Sequence, residues 1–312
     1  MDAAPTLLVL RALNLGDLLV TVPALRALRR RFPDHRLVLA TNPRLQPIVD
    51  RIGGVDALLP QRGLTPPGVR APEIAVDLHH VAPESYRALA ATSPGRLVAF
   101  TDPRTGHDGP ATREGEHERR RWLRLVEELG AEGDPDDVLL ATRMPADAVP
   151  PTIVHPGAAW GSKRWPADRF AVVVRELAVQ GHHVVLTGSA EEAPVTAAVA
   201  AAAGLPPESD LAGRTSLPEL LDLVAAARLV VSNDTGIAHL ATAFARPSVT
   251  LFGPASPRLW GPPEHARHVA IWHGHAEQHV LTHEVDPALL DVTVEEVLQA
   301  TDDVLATEPV PT

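Results

Sequence analysis

Runs of apolar residues alternate with amphipathic stretches along the first half of the chain. Five of these runs are candidate strands: Thr6–Arg11, Arg36–Ala40, Ala57–Leu59, Ile74–Leu78 and Arg96–Phe100. A continuous apolar run that ends at a turn is typical of a strand buried on both faces. The stretches between the runs carry apolar residues at helical spacing, as Leu25 and Leu28 do. Strands that alternate with helices predict right-handed βαβ units and a parallel sheet.

A second series of the same kind follows the Pro-rich polar stretch Met144–Thr152, which indicates a linker. The predicted strands of this series are Thr152–His155, His183–Thr187, Leu229–Ser232 and Ser248–Phe252, and its helices include Phe170–Gln180, Leu217–Ala227, Ile237–Phe244 and Val294–Leu305. We expect an α/β protein of two tandem Rossmann-like domains, residues 1–148 and 149–312, whose parallel sheets face a cleft. Ligands of such sheets bind at the carboxyl ends of the strands.

The composition supports a folded protein and argues against some partners. Hydrophobic residues make up 45% of the chain and charged residues 21%, which is typical of a globular protein. The net charge of −11 argues against a nucleic-acid partner, because nucleic-acid-binding surfaces are basic. The chain has no cysteine, so disulfides and thiolate sites are excluded. Its first residues, MDAAPTLLVL, match neither a secretion signal nor a membrane span, and we expect a cytoplasmic protein.

A single lysine, Lys163, stands among the 28 lysine and arginine residues. A lysine that remains in such an arginine-rich chain is a candidate for a role that arginine cannot fill, because the ammonium and guanidinium groups present their charge differently. Lys163 lies in the loop HPGAAWGSKRWP, directly after a predicted strand. The lysine and the backbone amides of this loop predict a phosphate site. An exposed basic loop without a ligand is the alternative.

Three further segments follow predicted strands and carry carboxylates. Asp17 lies after a glycine at the end of the first strand, where it is either a general base toward a hydroxyl or a helix cap. In SNDTGIAHLA, Asp234 precedes a helix whose first amides, together with Gly236, predict an anion site; a simple capping segment is the alternative. In GSAEE, Glu192 or Glu191 either accepts hydrogen bonds from ribose hydroxyls or begins a solvent-facing helix.

Four histidines lie near the C-terminus in WHGHAEQHVLTHE: His273, His275, His279 and His283. Their spacings of two and four residues are compatible with zinc ligation. The stretch contains no cysteine and does not belong to the segments that follow the predicted strands of the cleft. We therefore interpret it as a solvated polar loop and predict no metal site.

Three segments resemble glycosyltransferase family 9, the ADP-heptose:lipopolysaccharide heptosyltransferases. They are LGDLLVTVPALRALRRRFP, HPGAAWGSKRWPADRF, and SLPELLDLVAAARLVVSNDTGIAHLA with FGPASP after it. They occur in the family's order and span most of the chain. The resemblance implies the GT-B architecture, which has two Rossmann-like domains. The chain departs from the family at Ala158, Ala159 and Trp160, where the central loop often carries hydroxyl side chains. It departs again at the histidine stretch, where many members carry a cysteine-bearing segment.

The resemblance also implies roles for individual residues. It makes Asp17 the general base toward the acceptor and places Lys163 beside the donor phosphates. The donor-binding residues that it implies are Gly16, Ser162, Glu192 (or Glu191), Asp234, Thr235, Gly236 and His239. The N-terminal domain would bind the acceptor, and the C-terminal domain would bind the nucleotide sugar.

The implied reaction is an inverting, metal-independent transfer of a sugar, a heptose from ADP-heptose, to a hydroxyl of a glycan, glycolipid or small-molecule acceptor. No cofactor is implied, because the nucleotide sugar is a substrate. A glycolipid acceptor would bring the protein to a membrane surface as a peripheral enzyme. The alternatives are a GT-B nucleotide-sugar epimerase and a non-catalytic sugar-nucleotide-binding protein. A dehydrogenase is disfavoured, because no G-x-G-x-x-G follows the first strand.

Overall fold

A computed structural model describes residues 4–79, 83–142, 149–275 and 281–306. The chain divides into two compact units, Met1–Ala141 and Thr142–Thr312. Residues 144–148 of the predicted linker, and with them the predicted domain boundary, lie outside the described residues. None of the helices in the described ranges has the length and apolar character needed to cross a membrane.

The first unit contains a five-stranded sheet with the order β3-β2-β1-β4-β5, and every neighbouring pair is parallel. Its strands are β1 (Thr6–Leu10), β2 (Arg36–Thr41), β3 (Ala57–Pro60), β4 (Ile74–Asp77) and β5 (Arg96–Val98), and its helices are α1 (Leu15–Leu19), α2 (Val22–Arg31), α3 (Gln46–Ile52), α4 (Glu84–Ala90) and α5 (Glu118–Glu127). Each apolar run predicted as a strand in this unit forms one. The central strand β1 is buried from Leu7 to Leu10, as expected of a strand covered on both faces.

The amphipathic stretch after β1 forms two helices rather than one. α1 ends at Leu19, and α2 begins at Val22 with Pro23 in its first turn. Proline has no N–H to donate and is favoured in a first turn, so it starts a new helix here. Asp17 consequently lies inside α1, at its third position. The prediction that Asp17 lies just ahead of the helix is wrong, because Asn14 is the residue that caps α1.

The second unit contains a five-stranded parallel sheet with the order β10-β9-β8-β6-β7. Its strands are β6 (Thr152–His155), β7 (Val184–Leu186), β8 (Leu229–Asn233), β9 (Ser248–Leu251) and β10 (His268–Ile271), and its helices are α6 (Ala167–Val179), α7 (Ala193–Ala203), α8 (Leu217–Ala225), α9 (Gly236–Ala243), α10 (Pro257–Trp260), α11 (Pro287–Asp291) and α12 (Val294–Leu305). In its core, the rings of Trp165 and Phe170 pack edge to face with centroids 4.9 Å apart. The edge strand β10 was not predicted, because three of its four residues are only half-buried and the run is short.

The order of each sheet changes direction at its first strand. β1 lies between β2 and β4, and β6 lies between β7 and β8. At such a point the loops on the two sides diverge and leave a crevice outside the carboxyl ends of the strands. The fold therefore indicates ligand sites at the loops after β1 and β4 in the first unit, and after β6 and β8 in the second.

Candidate functional site

Asp17 is held at the carboxyl end of β1 by a buried arginine. The Arg11 Nε donates to the main-chain carbonyl of Asp17 at 2.9 Å, and its Nη2 lies 3.5 Å from Asp17 Oδ1. Asp17 Oδ2 also accepts the Asn14 N–H at 3.2 Å, which is a capping-box contact. Asp17 is thus the N3 member of a capping box whose N-cap is Asn14. Because 26% of its side chain stays exposed, its carboxylate is also within reach of a ligand.

Arg11 itself is only 2% exposed, which is unusual for a charged side chain. Its guanidinium lies 4.6 Å from the centroid of the Trp122 ring, and its Nη1 donates to the Leu78 carbonyl at 2.6 Å. Burial lowers the pKa of Arg11 because the charged form loses its water, and the nearby Asp17 opposes this effect. These contacts join the loop after β1 to the loop after β4.

The loop after β4 places a histidine beside the same segment. His79 Nδ1 accepts the Ala12 N–H at 3.1 Å. The Asp77 carboxylate fixes the backbone here, since Oδ1 accepts the His79 N–H at 3.0 Å and Oδ2 accepts the Ser85 hydroxyl at 2.6 Å. Burial lowers the pKa of His79 and outweighs the opposing effect of Asp77. The imidazole of His79 is therefore neutral at pH 7.

In the second unit, Lys163 is paired with Asp234. Lys163 Nζ lies 2.6 Å from Asp234 Oδ2 and donates more weakly to the Asp234 carbonyl at 3.4 Å. Lys163 ends a one-turn 3₁₀ helix, Gly161–Lys163, and Asp234 directly precedes the N-cap of α9. The lysine side chain is 23% exposed and the aspartate 5%, so the cation is the more accessible partner.

Asn233 ties together the loops after β6 and β8. Its Nδ2 donates to the carbonyls of Pro156 at 2.9 Å and Gly157 at 3.3 Å. Its Oδ1 accepts the Trp165 N–H at 3.0 Å. Asn233 has no exposed surface, and both ends of its amide are satisfied. This residue therefore fixes the loop that carries Lys163 relative to the start of α9.

The start of α9 offers unused hydrogen-bonding groups. Thr235 is its N-cap and Gly236 its first residue. The hydroxyls of Ser232 and Thr235 are buried and have no hydrogen-bond partner within the described part of the chain. The first N–H groups of a helix also lack intrahelical acceptors. An anionic oxygen bound here would satisfy both kinds of group. His239 lies half-buried in the first turn of α9, and the centroids of its ring and the Trp260 ring are 6.3 Å apart.

Glu192 lies against the loop after β6. Its Oε2 accepts the Ser189 N–H at 2.7 Å and is 3.7 Å from His155 Nε2, while His155 Nδ1 lies 3.0 Å from Thr187 Oγ1. Burial lowers the pKa of His155, although the Glu192 carboxylate acts in the opposite direction. A Cβ atom at Gly157 would collide with the Glu192 carboxyl group. A glycine at this position therefore leaves the space that the carboxyl group occupies.

Ser162 is used for packing in this structure. It is 1% exposed, its N–H donates to the Thr282 carbonyl at 3.1 Å, and its Oγ accepts the Thr282 N–H at 3.2 Å. Gly161 lies so close to the His283 carbonyl that a Cβ would collide with it. The segment Thr282–His283 thus clamps the loop that carries Lys163. A contact of Ser162 with the donor stays a prediction.

The histidine stretch is divided between several contacts. His273 Nε2 lies 2.9 Å from Glu296 Oε2. The ring centroids of His283 and Trp160 are 5.9 Å apart, a proximity that the sequence did not indicate. His279 lies outside the described residues. Within the ranges that the structure describes, no group of three or more histidine and carboxylate side chains is arranged to hold a metal ion.

The structure brings several of the predicted residues together. In the second unit, Lys163 pairs with Asp234, and Thr235, Gly236 and His239 begin the helix that follows. Gly16 and Asp17 lie in α1 of the first unit. Sequence reasoning missed the side chains that support these residues: Arg11, His79, His155 and Asn233. A polar residue at or just beyond the carboxyl end of a buried strand was the signal available for all four.

Comparisons with known proteins point to one group of enzymes. The family model described as glycosyltransferase family 9 (heptosyltransferase) matches residues 135–288. Lipooligosaccharide heptosyltransferase 2 of Haemophilus influenzae is 42% identical over 113 residues, which are 34% of this chain and 32% of that protein. Lipopolysaccharide heptosyltransferase 2 of Salmonella typhimurium is 34% identical over 162 residues, 50% of this chain and 47% of that protein. The matched segments thus span about a third to a half of these curated relatives.

Solved structures match over nearly the whole chain. The ADP-heptose lipopolysaccharide heptosyltransferase II of Escherichia coli has a TM-score of 0.78 at 22% identity, with 96% of this chain and 98% of that chain covered. A glycosyl transferase family 9 protein of Veillonella parvula has a TM-score of 0.78 at 20% identity, with 96% and 97% covered. The two parallel-sheet units therefore have the GT-B fold, as predicted. In the sequence of residues 135–288 the chain is similar to glycosyltransferase family 9.

Proposed function

We propose that the protein is an inverting glycosyltransferase that transfers a heptose from ADP-heptose to a hydroxyl of a glycan, glycolipid or small-molecule acceptor. The observation that carries the proposal is the Lys163–Asp234 pair at the start of α9, where the buried hydroxyls of Ser232 and Thr235 have no partner among the described residues. A cation, free amides and hydroxyls suit a diphosphate, and a carboxylate suits the hydroxyls of a sugar. The relatives are heptosyltransferases, and the similar E. coli structure is that of an ADP-heptose lipopolysaccharide heptosyltransferase, which supports the choice of donor.

The leaving group is stabilised in the second unit. When the bond between the anomeric carbon and the diphosphate breaks, negative charge grows on the phosphate oxygens. Lys163 Nζ, now 2.6 Å from Asp234, would donate to one of these oxygens, and the α9 amides and the Thr235 hydroxyl would donate to others. Asp234 would then accept from a sugar hydroxyl, because a carboxylate repels phosphate. Donors held in place before the reaction lower its barrier without reorganising, and they replace the charge of a metal ion.

The nucleotide is recognised by Glu192. Its Oε2 is occupied by the Ser189 N–H, so its other oxygen is the one to accept from ribose hydroxyls. The close approach of Gly157 sets the position of this carboxylate. A carboxylate held after a strand of a Rossmann-like sheet is a common acceptor for ribose.

The attacking hydroxyl loses its proton to Asp17. Asp17 Oδ2 already accepts the Asn14 N–H, whereas Oδ1 is 3.5 Å from Arg11 Nη2, too long for a strong hydrogen bond. Oδ1 is therefore the atom that takes the proton. A single displacement at the anomeric carbon inverts its configuration.

The proposal is tested by a transfer assay. The protein is incubated with ADP-heptose and either lipopolysaccharide from a heptose-deficient E. coli strain or a panel of soluble glycans, with GDP- and UDP-sugars as control donors. We expect release of ADP, an acceptor heavier by one heptosyl group, inversion at the anomeric carbon by NMR, and equal rates with and without EDTA. Isomerisation of the donor without transfer would instead identify an epimerase, and donor binding without turnover across the panel would identify a binding protein.

The proposed donor and acceptor also suggest where in the cell the enzyme works. We propose that the enzyme meets its nucleotide sugar in the cytoplasm and reaches a membrane surface only through a glycolipid acceptor. Cell fractionation with and without depletion of the glycolipid would test this.

A further inference from the structure

The carboxyl ends of β1 and β4 are joined by side chains that reach across them. Leu10 pairs with Asp77 at the last position of the two strands. Beyond this pair, Arg11 Nη1 donates to the Leu78 carbonyl at 2.6 Å, and the Ala12 N–H donates to His79 Nδ1 at 3.1 Å. These two contacts place His79 against the segment that leads to Asp17.

The Ala12 contact determines which nitrogen of His79 carries the proton. An N–H group can donate only to an unprotonated nitrogen, so Nδ1 is the acceptor and the proton of the neutral ring is on Nε2. Burial and the nearby Arg11 lower the pKa of His79, while Asp77 and Asp17 raise it; burial is the largest of these effects. The ring is therefore neutral at pH 7, and its Nε2–H is a hydrogen-bond donor.

The backbone of His79 is also fixed. Asp77 Oδ1 accepts its main-chain N–H at 3.0 Å, and Ser85 holds the other oxygen of Asp77 at 2.6 Å. Within residues 4–79 and the other described ranges, no hydrogen bond uses the Nε2 of His79. His79 is thus a rigid donor with one ring nitrogen in use and the other available at the ligand edge of the sheet.

We propose that His79 is an acceptor-binding residue, whose Nε2–H donates a hydrogen bond to an oxygen of the acceptor sugar while Asp17 removes the proton of the attacking hydroxyl. This proposal rests on the proposed function. The two side chains divide the work because His79 Nδ1 is occupied and Nε2 already carries a proton, so this imidazole has no free nitrogen to act as the base. The proton of the attacking hydroxyl passes to Asp17 Oδ1, and His79 keeps its own.

Two substitutions distinguish the structural contact of Nδ1 from the proposed donor role of Nε2. In His79→Asn, the short side-chain carbonyl can take the place of Nδ1 and accept the Ala12 N–H, but no donor remains at the position of Nε2. In His79→Gln, the longer amide can place an N–H near the position of Nε2 and gives up the Ala12 contact. The first variant therefore removes the proposed function of His79 and keeps its structural contact, and the second does the reverse.

The experiment measures acceptor KM and kcat with heptose-deficient lipopolysaccharide, together with the Kd of ADP by calorimetry and thermal melting as a folding control. We expect His79→Asn to raise the acceptor KM about tenfold, the worth of one hydrogen bond, with an unchanged ADP Kd. We expect His79→Gln to keep the acceptor KM within a few-fold of the wild type and to melt at a lower temperature. Nitrogen-15 NMR of the histidine ring should show the proton on Nε2 at pH 7.

Wild-type KM and kcat for His79→Asn would overturn the proposal. A proton on Nδ1 at pH 7, or an equal rise in the acceptor KM in both variants, would overturn it as well. Wild-type protein that transfers nothing to any acceptor would overturn the proposed function instead, and this proposal with it. The two failures are thus told apart by the activity of the unmodified enzyme.

Discussion

At the scale of single residues, a charged side chain in this protein can make a structural contact and also lie in the candidate site beyond a strand end. Asp17 accepts the Asn14 N–H as a helix cap and lies beside the buried Arg11. A capping contact is worth about 1 kcal/mol, which is small beside the effect of a general base on a reaction barrier. The two roles of Asp17 can therefore be separated by a substitution that keeps the cap.

We expect Asp17→Asn to cut kcat by about two to four orders of magnitude and to leave the ADP Kd unchanged. The amide oxygen of asparagine can still accept the Asn14 N–H, but it cannot take a proton from the acceptor. The measurements are steady-state kinetics and calorimetry. Asp134→Asn is the matched control, because Asp134 also accepts a backbone N–H, from Asp136 at 2.9 Å, and should keep full activity. Near-normal turnover of Asp17→Asn would leave Asp17 with its capping role alone.

We expect Lys163→Arg to lower kcat about tenfold to hundredfold and the ADP affinity by less. The substitution keeps the charge, but the planar guanidinium is larger than the ammonium that fits 2.6 Å from Asp234 Oδ2, and Asp234 is itself buried. A contact that strengthens as the diphosphate departs affects turnover more than binding. Arg175→Lys, on the half-exposed surface of α6, is the control and should behave as wild type. Wild-type kinetics for Lys163→Arg would mean that the single lysine is not required as a lysine.

At the scale of elements, the site in the second unit is built from loops that follow β6 and β8 and are held by one asparagine. Asn233 donates to the first of these loops and accepts from Trp165 beyond it. The segment Thr282–His283 clamps the same loop from another side through Ser162. Backbone hydrogen bonds of this kind fix a loop with little side-chain entropy to lose. The position of Lys163 is therefore determined by neighbours that are distant in sequence.

The contact between Gly157 and Glu192 gives an element-scale prediction. We expect Gly157→Ala to weaken ADP binding about tenfold, because the new Cβ would collide with the Glu192 carboxyl group and move it from the proposed ribose site. Calorimetric titration with ADP measures the change. Gly68→Ala is the matched control, since a Cβ there meets no atom within 4 Å and the backbone is not in the left-handed region. An unchanged ADP Kd in Gly157→Ala would contradict the placement of Glu192 at the ribose.

At the scale of the whole molecule, buried and half-buried histidines link stability to pH. Burial lowers the pKa of His79, His155 and His182 from the ordinary value of 6.5. An unfolded chain therefore binds protons at these positions at a higher pH than the folded protein does. The stability associated with the neutral rings is fully present above pH 6.5, and it is lost as the pH falls from 6.5 through the folded pKa values.

We expect the urea midpoint of unfolding to be flat just above pH 6.5 and to fall steadily below it. His155→Gln should reduce this slope, because glutamine can keep a polar contact with Thr187 and does not titrate. His183→Gln is the control, since His183 is exposed at the surface. The measurement is urea unfolding followed by circular dichroism over a pH series. An unaltered slope in His155→Gln would exclude His155 as a source of the pH dependence.

Much of the fold follows from local patterns in the sequence. The alternation of apolar runs and helices predicted nine of the ten strands, because a strand buried on both faces must be apolar throughout. The exception is β10, an edge strand with half-buried histidine and valine, whose strand state depends on pairing with β9. The break between α1 and α2 was not settled by the sequence, because a proline such as Pro23 is compatible with either a helix start or a kink; the structure shows a start.

The site divides in the same way. The sequence predicted that loops after strands carry the candidate site, because the carboxyl ends of parallel strands lie at the same edge of a sheet, and the structure pairs Lys163 with Asp234 there. The sequence did not predict the burial of Arg11, the ring tautomer of His79 or the clamp at Thr282. A polar residue has the same local sequence pattern whether it is solvated or paired. The sequence by itself determined the elements and the strand ends that carry the candidate site, since hydrophobic periodicity and loop position act over a few residues. Only the tertiary structure decided which polar groups satisfy each other and which remain for a ligand, because those contacts join residues far apart in the chain.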